Sequence, residues 1–130
     1  MGKLRKTWTF EWSEKKIASN SLSVVGGDLL SIDASGYVVK STAGTVIEGV
    51  AVGEAVYAAD NQTVANAVID YPTVNSEMRI ELDCDATLTQ AMVNDKFDID
   101  DTQEVVTGAA GTQVQLVEIV SATVGSFKAL

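Results

Sequence analysis

Residues 93–104, VNDKFDIDDTQE, gather Asp95, Asp98, Asp100, Asp101 and Glu104 around the single base Lys96. Carboxylates at that density suit three roles: holding calcium, working as a catalytic pair, or keeping one face of a strand in water. A calcium loop of the EF-hand type needs acids at alternate positions, glycine at the sixth and glutamate at the twelfth. Counted from Asp98, those two places hold Gln103 and Ala109; counted from Asp83, they hold Leu88 and Asn94. Asp98 and Asp100 instead alternate with Phe97 and Ile99, which predicts a solvated strand face and no metal site. A carboxylate pair for glycoside hydrolysis is available by count alone, but it needs a groove. Few aromatic residues lie outside the first segment to line one.

Other chemistry is scarce. The chain has no histidine, the commonest general base and metal ligand. Its one cysteine, Cys84, excludes an internal disulfide and a Cys-rich zinc site, as expected of a chain made in a reducing cytoplasm. Cys84 falls on the apolar side of its strand pattern and reads as a core thiol without a histidine to activate it. Gly44 and Gly49 have phosphate-loop spacing, but Val50-Ala51 stand where Lys-Ser/Thr is required. Asn61-Gln62-Thr63 fits the glycosylation sequon, which matters only in a secretory chain. The basic opening has no apolar run behind it, so no signal peptide is expected. Lys6 occupies the position where a myristoylation signal requires Ser or Thr. No catalytic residue, metal ligand or cofactor site is expected.

The elements that must carry these residues have a period of two. In MRIELDCD, Met78, Ile80, Leu82 and Cys84 alternate with Arg79, Glu81, Asp83 and Asp85, the pattern of a half-buried strand. KFDID repeats it, and TWTFEW does so with Trp8, Phe10 and Trp12 on one side. Further strands are predicted at DLLSID, YVVKS, TVIEGVAVGEAV, VANAVIDY, QEVVTG, TQVQLVEIVSA and GSFKAL. In QVQLVEIV the phase slips after Leu116, which predicts a bulge or burial on both faces. The lone proline, Pro72, should close the strand ending at Tyr71. Only ATLTQAMV, 86–93, reads as a short helix, with Leu88 and Met92 four apart. Many short strands separated by Gly, Asn and Asp turns predict an all-β fold, a small barrel or sandwich.

Charge divides the chain. The formal net charge is −9, yet residues 1–16 hold Lys3, Arg5, Lys6, Lys15 and Lys16 against Glu11 and Glu14. A net of +3 there leaves −12 for the remainder, so nucleic-acid binding by the body is not expected. No run of eighteen apolar residues is present, so no membrane-spanning helix is expected either. Both tryptophans lie in the cationic segment. Two readings stand: an ordinary first strand whose rings complete the core, or an N-terminal arm over 1–20 that docks on a partner. The arm would use Lys3, Arg5 and Lys6 for steering and Trp8, Phe10 and Trp12 as anchors. The domain would then span 21–130.

Several short motifs have a familiar order. Gly27-Asp28 leads into a strand; Asp33-Ala34-Ser35-Gly36 turns into YVVKS; Ile47 to Ala51 reads IEGVA. Asn94 to Asp100 reads NDKFDID and Val124 to Ala129 reads VGSFKA. Over about residues 26 to 129 this order resembles the small β-rich decoration, or cement, proteins of tailed-bacteriophage capsids. The resemblance implies a β-barrel or β-tulip domain on the capsid exterior, a homotrimer, and the major capsid protein as partner. It also implies an extended N-terminal arm, a non-enzymatic role and a place in the virion after synthesis in the host cytoplasm. Alternatives are a phage tail, baseplate or head-fibre β-domain, or a carbohydrate-binding β-module.

Overall fold

The computed structural model describes residues 3–6, 11–16, 26–51, 68–73 and 78–130, with the backbone alone given at 3–6, 11–16 and 68–73. Eleven strands occur among them: β1 Lys3–Lys6, β2 Glu11–Lys16, β3 Leu29–Ile32, β4 Val38–Lys40, β5 Gly49–Val50 and β6 Val68–Thr73. They continue with β7 Arg79–Asp83, β8 Lys96–Ile99, β9 Val105–Val106, β10 Val114–Ser121 and β11 Val124–Ala129. One sheet has the order β1-β7-β11-β10-β8-β9 and the other β2-β6-β5-β3-β4. Every pairing of neighbouring strands is antiparallel. The fold is all-β, a small barrel or sandwich, as the period of two predicts.

The core is built by alternation. Met78, Ile80, Leu82 and Cys84 are buried while Asp83 and Asp85 are exposed. Phe97 and Ile99 come inward from β8, Val114 and Leu116 from β10, and Phe127 from β11; Leu29 and Val50 join them from the second sheet, and Ile47 from the connection before β5. The phase slip in β10 is a bulge. Leu116 pairs with Phe127 but Glu118 pairs with Ser126, leaving Val117 as the extra residue. Ile119 then stands opposite Gly125 and packs on the same core as Leu116. Three residues of sequence are thereby fitted to two of partner strand. Gly125 has no room for a side chain there, since a Cβ would lie 2.7 Å from both Leu116 Cδ1 and the Phe127 ring.

Two expectations are corrected. The short helix at 86–93 is a single 3-10 turn, Gln90–Met92, between extended Thr89 and Val93. Its surroundings leave no space for more: Leu88 N donates to Ala122 O at 2.7 Å and Asn94 N to Leu116 O at 2.8 Å. Anchored at both ends to β10 and its turn, the chain still buries Leu88 and packs Met92 on the core. Pro72 does not end its strand either, because β6 runs on to Thr73. Among the described residues β6 pairs on its β5 side at Thr73, opposite Gly49, and not at Pro72, so the missing N–H is tolerated.

Candidate functional site

Four aspartates are committed to the main chain. Asp98 Oδ1 accepts from Thr112 N at 2.8 Å and Gln113 N at 3.2 Å. Asp100 Oδ1 accepts from Thr102 N at 2.9 Å, Thr102 Oγ1 at 2.6 Å and Glu104 N at 3.1 Å. Asp85 Oδ1 takes the Thr107 amide at 2.9 Å and its hydroxyl at 2.8 Å. Asp33 Oδ1 takes the amides of Ser35 and Tyr37, each at 2.9 Å. At Asp33 and Asp100 these are turns in which an aspartate replaces a backbone acceptor, whereas Asp98 and Asp85 tie down loops distant in sequence. The Thr102 hydroxyl, with the Glu104 and Thr102 amides, holds the Asp100 carboxyl below its usual range. Among the described residues, no group of three or more acids or cysteines is arranged to hold a metal ion. The acids at 98 and 100 do face outward, but as loop fasteners rather than as a bare solvated face.

Those fasteners position two glutamines that the pattern of apolar residues does not reveal. Gln103, at φ 64°, is buried against the second sheet. Its Oε1 accepts from Leu29 N at 2.8 Å, and its Nε2 donates to Leu29 O at 2.8 Å and Ser41 O at 3.1 Å. Gln113 Oε1 accepts from Ile99 N at 2.9 Å, and its Nε2 donates to Thr42 O at 2.8 Å and Thr45 O at 2.5 Å. Side-chain amides thus join the two sheets where β9 and β4 leave strand edges. A signal for them exists in the sequence. Thr102-Gln103 and Thr112-Gln113 each precede a strand, and each threonine amide is held by an aspartate of the 98–100 stretch.

A shallow cleft of about 560 Å³ lies between residues 94–97 and the loop 107–111. One side of it is lined by the small residues Gly108, Ala109, Ala110 and Gly111. Gly111 is obligatory there, because a Cβ would fall on the main chain of Phe97 and Asp98. Cys84 is buried, and burial together with Asp85, Asp83 and Glu104 pushes its thiol up to about 11. It is an inert core group.

Among the described residues, Lys3–Lys6 and Glu11–Lys16 occupy one edge of each sheet. Lys3 stands opposite Glu81 and Lys6 opposite Arg79, with Arg5 at a register shift between Leu4 and Lys6. Trp12 stands on β2 opposite Pro72. Trp8 and Phe10 lie outside the described residues. The basic positions and Trp12 therefore belong to different sheets, although nine residues at most separate them in sequence. In the chain taken alone, both pieces of the expected arm pair with strands of the body. No protein-family model matches this sequence, and no curated protein matches it.

Proposed function

We propose that this protein is a structural virion component. It binds the outer surface of an assembled tailed-phage capsid as a homotrimer and cements neighbouring major capsid protein subunits. The observation that carries the reading is the division of the molecule. A small all-β body of net charge −12 has a cationic N-terminal segment that, among the described residues, supplies one edge strand of each sheet. Edge strands are the places where another chain adds to a sheet. The order of turn and strand motifs from Gly26 to Ala129 agrees with the same reading. The physical role is mass action: a part that binds only the assembled, expanded shell stabilises it.

The test mixes the purified protein with expanded shells, unexpanded shells and isolated tails, followed by sedimentation and electron microscopy. Density on the exterior of expanded shells, clustered in threes, is expected. Trp8→Ala and Trp12→Ala should each weaken shell binding by about 2 kcal/mol if the rings anchor the segment. Binding to tails or baseplates, or a sugar ligand found in a glycan screen with the shells ignored, would refute the proposal.

A further inference from the structure

Residues 17–130 hold four basic residues, Lys40, Arg79, Lys96 and Lys128. Lys40 lies on the second sheet, its ammonium 3.4 Å from a carboxylate oxygen of buried Asp28. The other three come from distant parts of the chain and meet on the first sheet. Lys128 stands opposite Gln115, and Gln115 opposite Lys96. On its other side β11 pairs with β7 as far as Phe127 opposite Ile80, and the next position along sets Lys128 beside Arg79. Arg79 in turn stands opposite Lys6 of β1. One row thus crosses five neighbouring strands: Lys6, Arg79, Lys128, Gln115 and Lys96. From Arg79 to Lys96 it spans about 14 Å, three strand spacings.

Arg79, Lys128, Gln115 and Lys96 belong to the outer face of that sheet. The residues beside them along their strands, Ile80, Phe127, Val114, Leu116 and Phe97, are all buried, and strand side chains alternate. Lys96 is exposed, and Arg79, Gln115 and Lys128 are half-buried. Among the described residues, neither Lys96 nor Lys128 makes an ion pair. Like charges side by side destabilise an antiparallel pair, so the isolated fold gains nothing by setting Lys128 beside Arg79. The nearest acids of the face stand outside the row. Glu81 and Glu118 share the next row with Ser126 between them, and Asp98 is held by the amides of Thr112 and Gln113.

We propose that this row is a docking face for an acidic protein surface, with β1 extending it at the sheet edge while still paired to β7. That the surface belongs to an assembled shell rests on the capsid reading above. Charge complementarity selects the occupant. On an otherwise acidic body, an anionic partner is drawn to the row and repelled elsewhere, which fixes the orientation of docking as well as its rate. Separate carboxylates of a protein surface can meet Arg79, Lys128 and Lys96 and still avoid Glu81 and Glu118. A nucleic-acid duplex, with one charge about every 1.7 Å, presses phosphates against both rows at once.

Two probes of the full chain test the face. With expanded shells, Lys96→Glu and Lys128→Glu should each weaken binding about tenfold, and added salt should weaken wild type more than either variant. Thr87→Glu combined with Gln90→Glu adds the same negative charge at two exposed positions off the sheet, and should weaken binding no more than about twofold. Lys96→Glu, at an exposed position, carries the test if Lys128→Glu lowers the melting temperature. The second probe is poly-L-glutamate at low salt, followed by amide NMR shifts of the isotope-labelled protein. Shifts should gather at Lys96, Gln115 and Lys128 and disappear when both lysines are reversed. Shell binding indifferent to both reversals, or equally weakened by the control pair, overturns the face. A wild-type protein that ignores shells but takes polyglutamate on the row removes the capsid reading and keeps the face; one that ignores both overturns both. Duplex DNA shifting the same amides more strongly than polyglutamate overturns the assignment of a protein partner.

Discussion

Replacing Gln103 with alanine tests whether side-chain amides hold the two sheets together. The substitution deletes three buried hydrogen bonds, two to Leu29 and one to Ser41. Their loss is unequal. Leu29 O keeps a partner, since Ser41 N donates to it at 2.9 Å. Leu29 N loses the acceptor it has in Gln103, at a residue with no solvent exposure. An orphaned buried donor costs about 1–3 kcal/mol, and the weakened acceptor at Ser41 adds about 1 kcal/mol. The sum is about 3 kcal/mol, a large share of the roughly 5–15 kcal/mol that a domain has in total. Alanine keeps the left-handed backbone that Gln103 already adopts, so little of the change is backbone strain. Urea denaturation of wild type and variant gives the difference directly, and the melting temperature should fall by about 10 °C. Gln115→Ala is the control: its amide donates to Asn94 O at an exposed position and should cost no more than about 0.5 kcal/mol. A loss below about 1 kcal/mol for Gln103→Ala would refute the clamp, because solvent would then be satisfying Leu29.

Three further outcomes follow from the same geometry. Cys84, with its thiol raised to about 11, should resist thiol reagents at pH 8 in the native protein and react at once in denaturant; rapid native labelling would contradict its burial. Asp100 has a lowered pKa, so its stabilisation is present above the ordinary aspartate pKa and disappears as pH falls through the lowered value; Asp100→Asn should flatten that acid limb in pH-dependent denaturation. Gly125→Ala forces a Cβ into the Leu116 and Phe127 side chains and should cost about 1–3 kcal/mol by thermal melting, whereas Gly108→Ala, which meets nothing, should change little.

Much of the fold was legible along the chain because strand burial is a local, repeating property. The alternation in 78–85 and 96–99 named the buried residues one by one, and the broken phase after Leu116 left a bulge or two-faced burial open until the strand register placed a bulge at Val117. The four-residue spacing of Leu88 and Met92 suits a helix, but both flanks of that stretch are tied to β10 and its turn. A four-residue interval records burial, not the path between the buried points. Ligand spacing sets the acidic stretch apart from EF-hand loops, but its work as a set of loop fasteners depends on residues up to 15 positions away.

By itself, the sequence determined the all-β class, the core composition, the absence of histidine and the opposition of a cationic start to an acidic body. Each of these is a sum or a period over neighbouring residues. Tertiary structure alone decided that Gln103 and Gln113 are buried, that Pro72 lies within a strand, and that Lys3–Lys6 and Glu11–Lys16 edge different sheets. It also set Glu14 against Asp70, 56 residues further along the chain. The physical reason is that polar residues have no fixed place until their partners do. An apolar side chain needs only the absence of water, which a strand's alternation supplies locally. An amide or a carboxylate needs a particular atom at about 3 Å, and only the packed sheets bring that atom there.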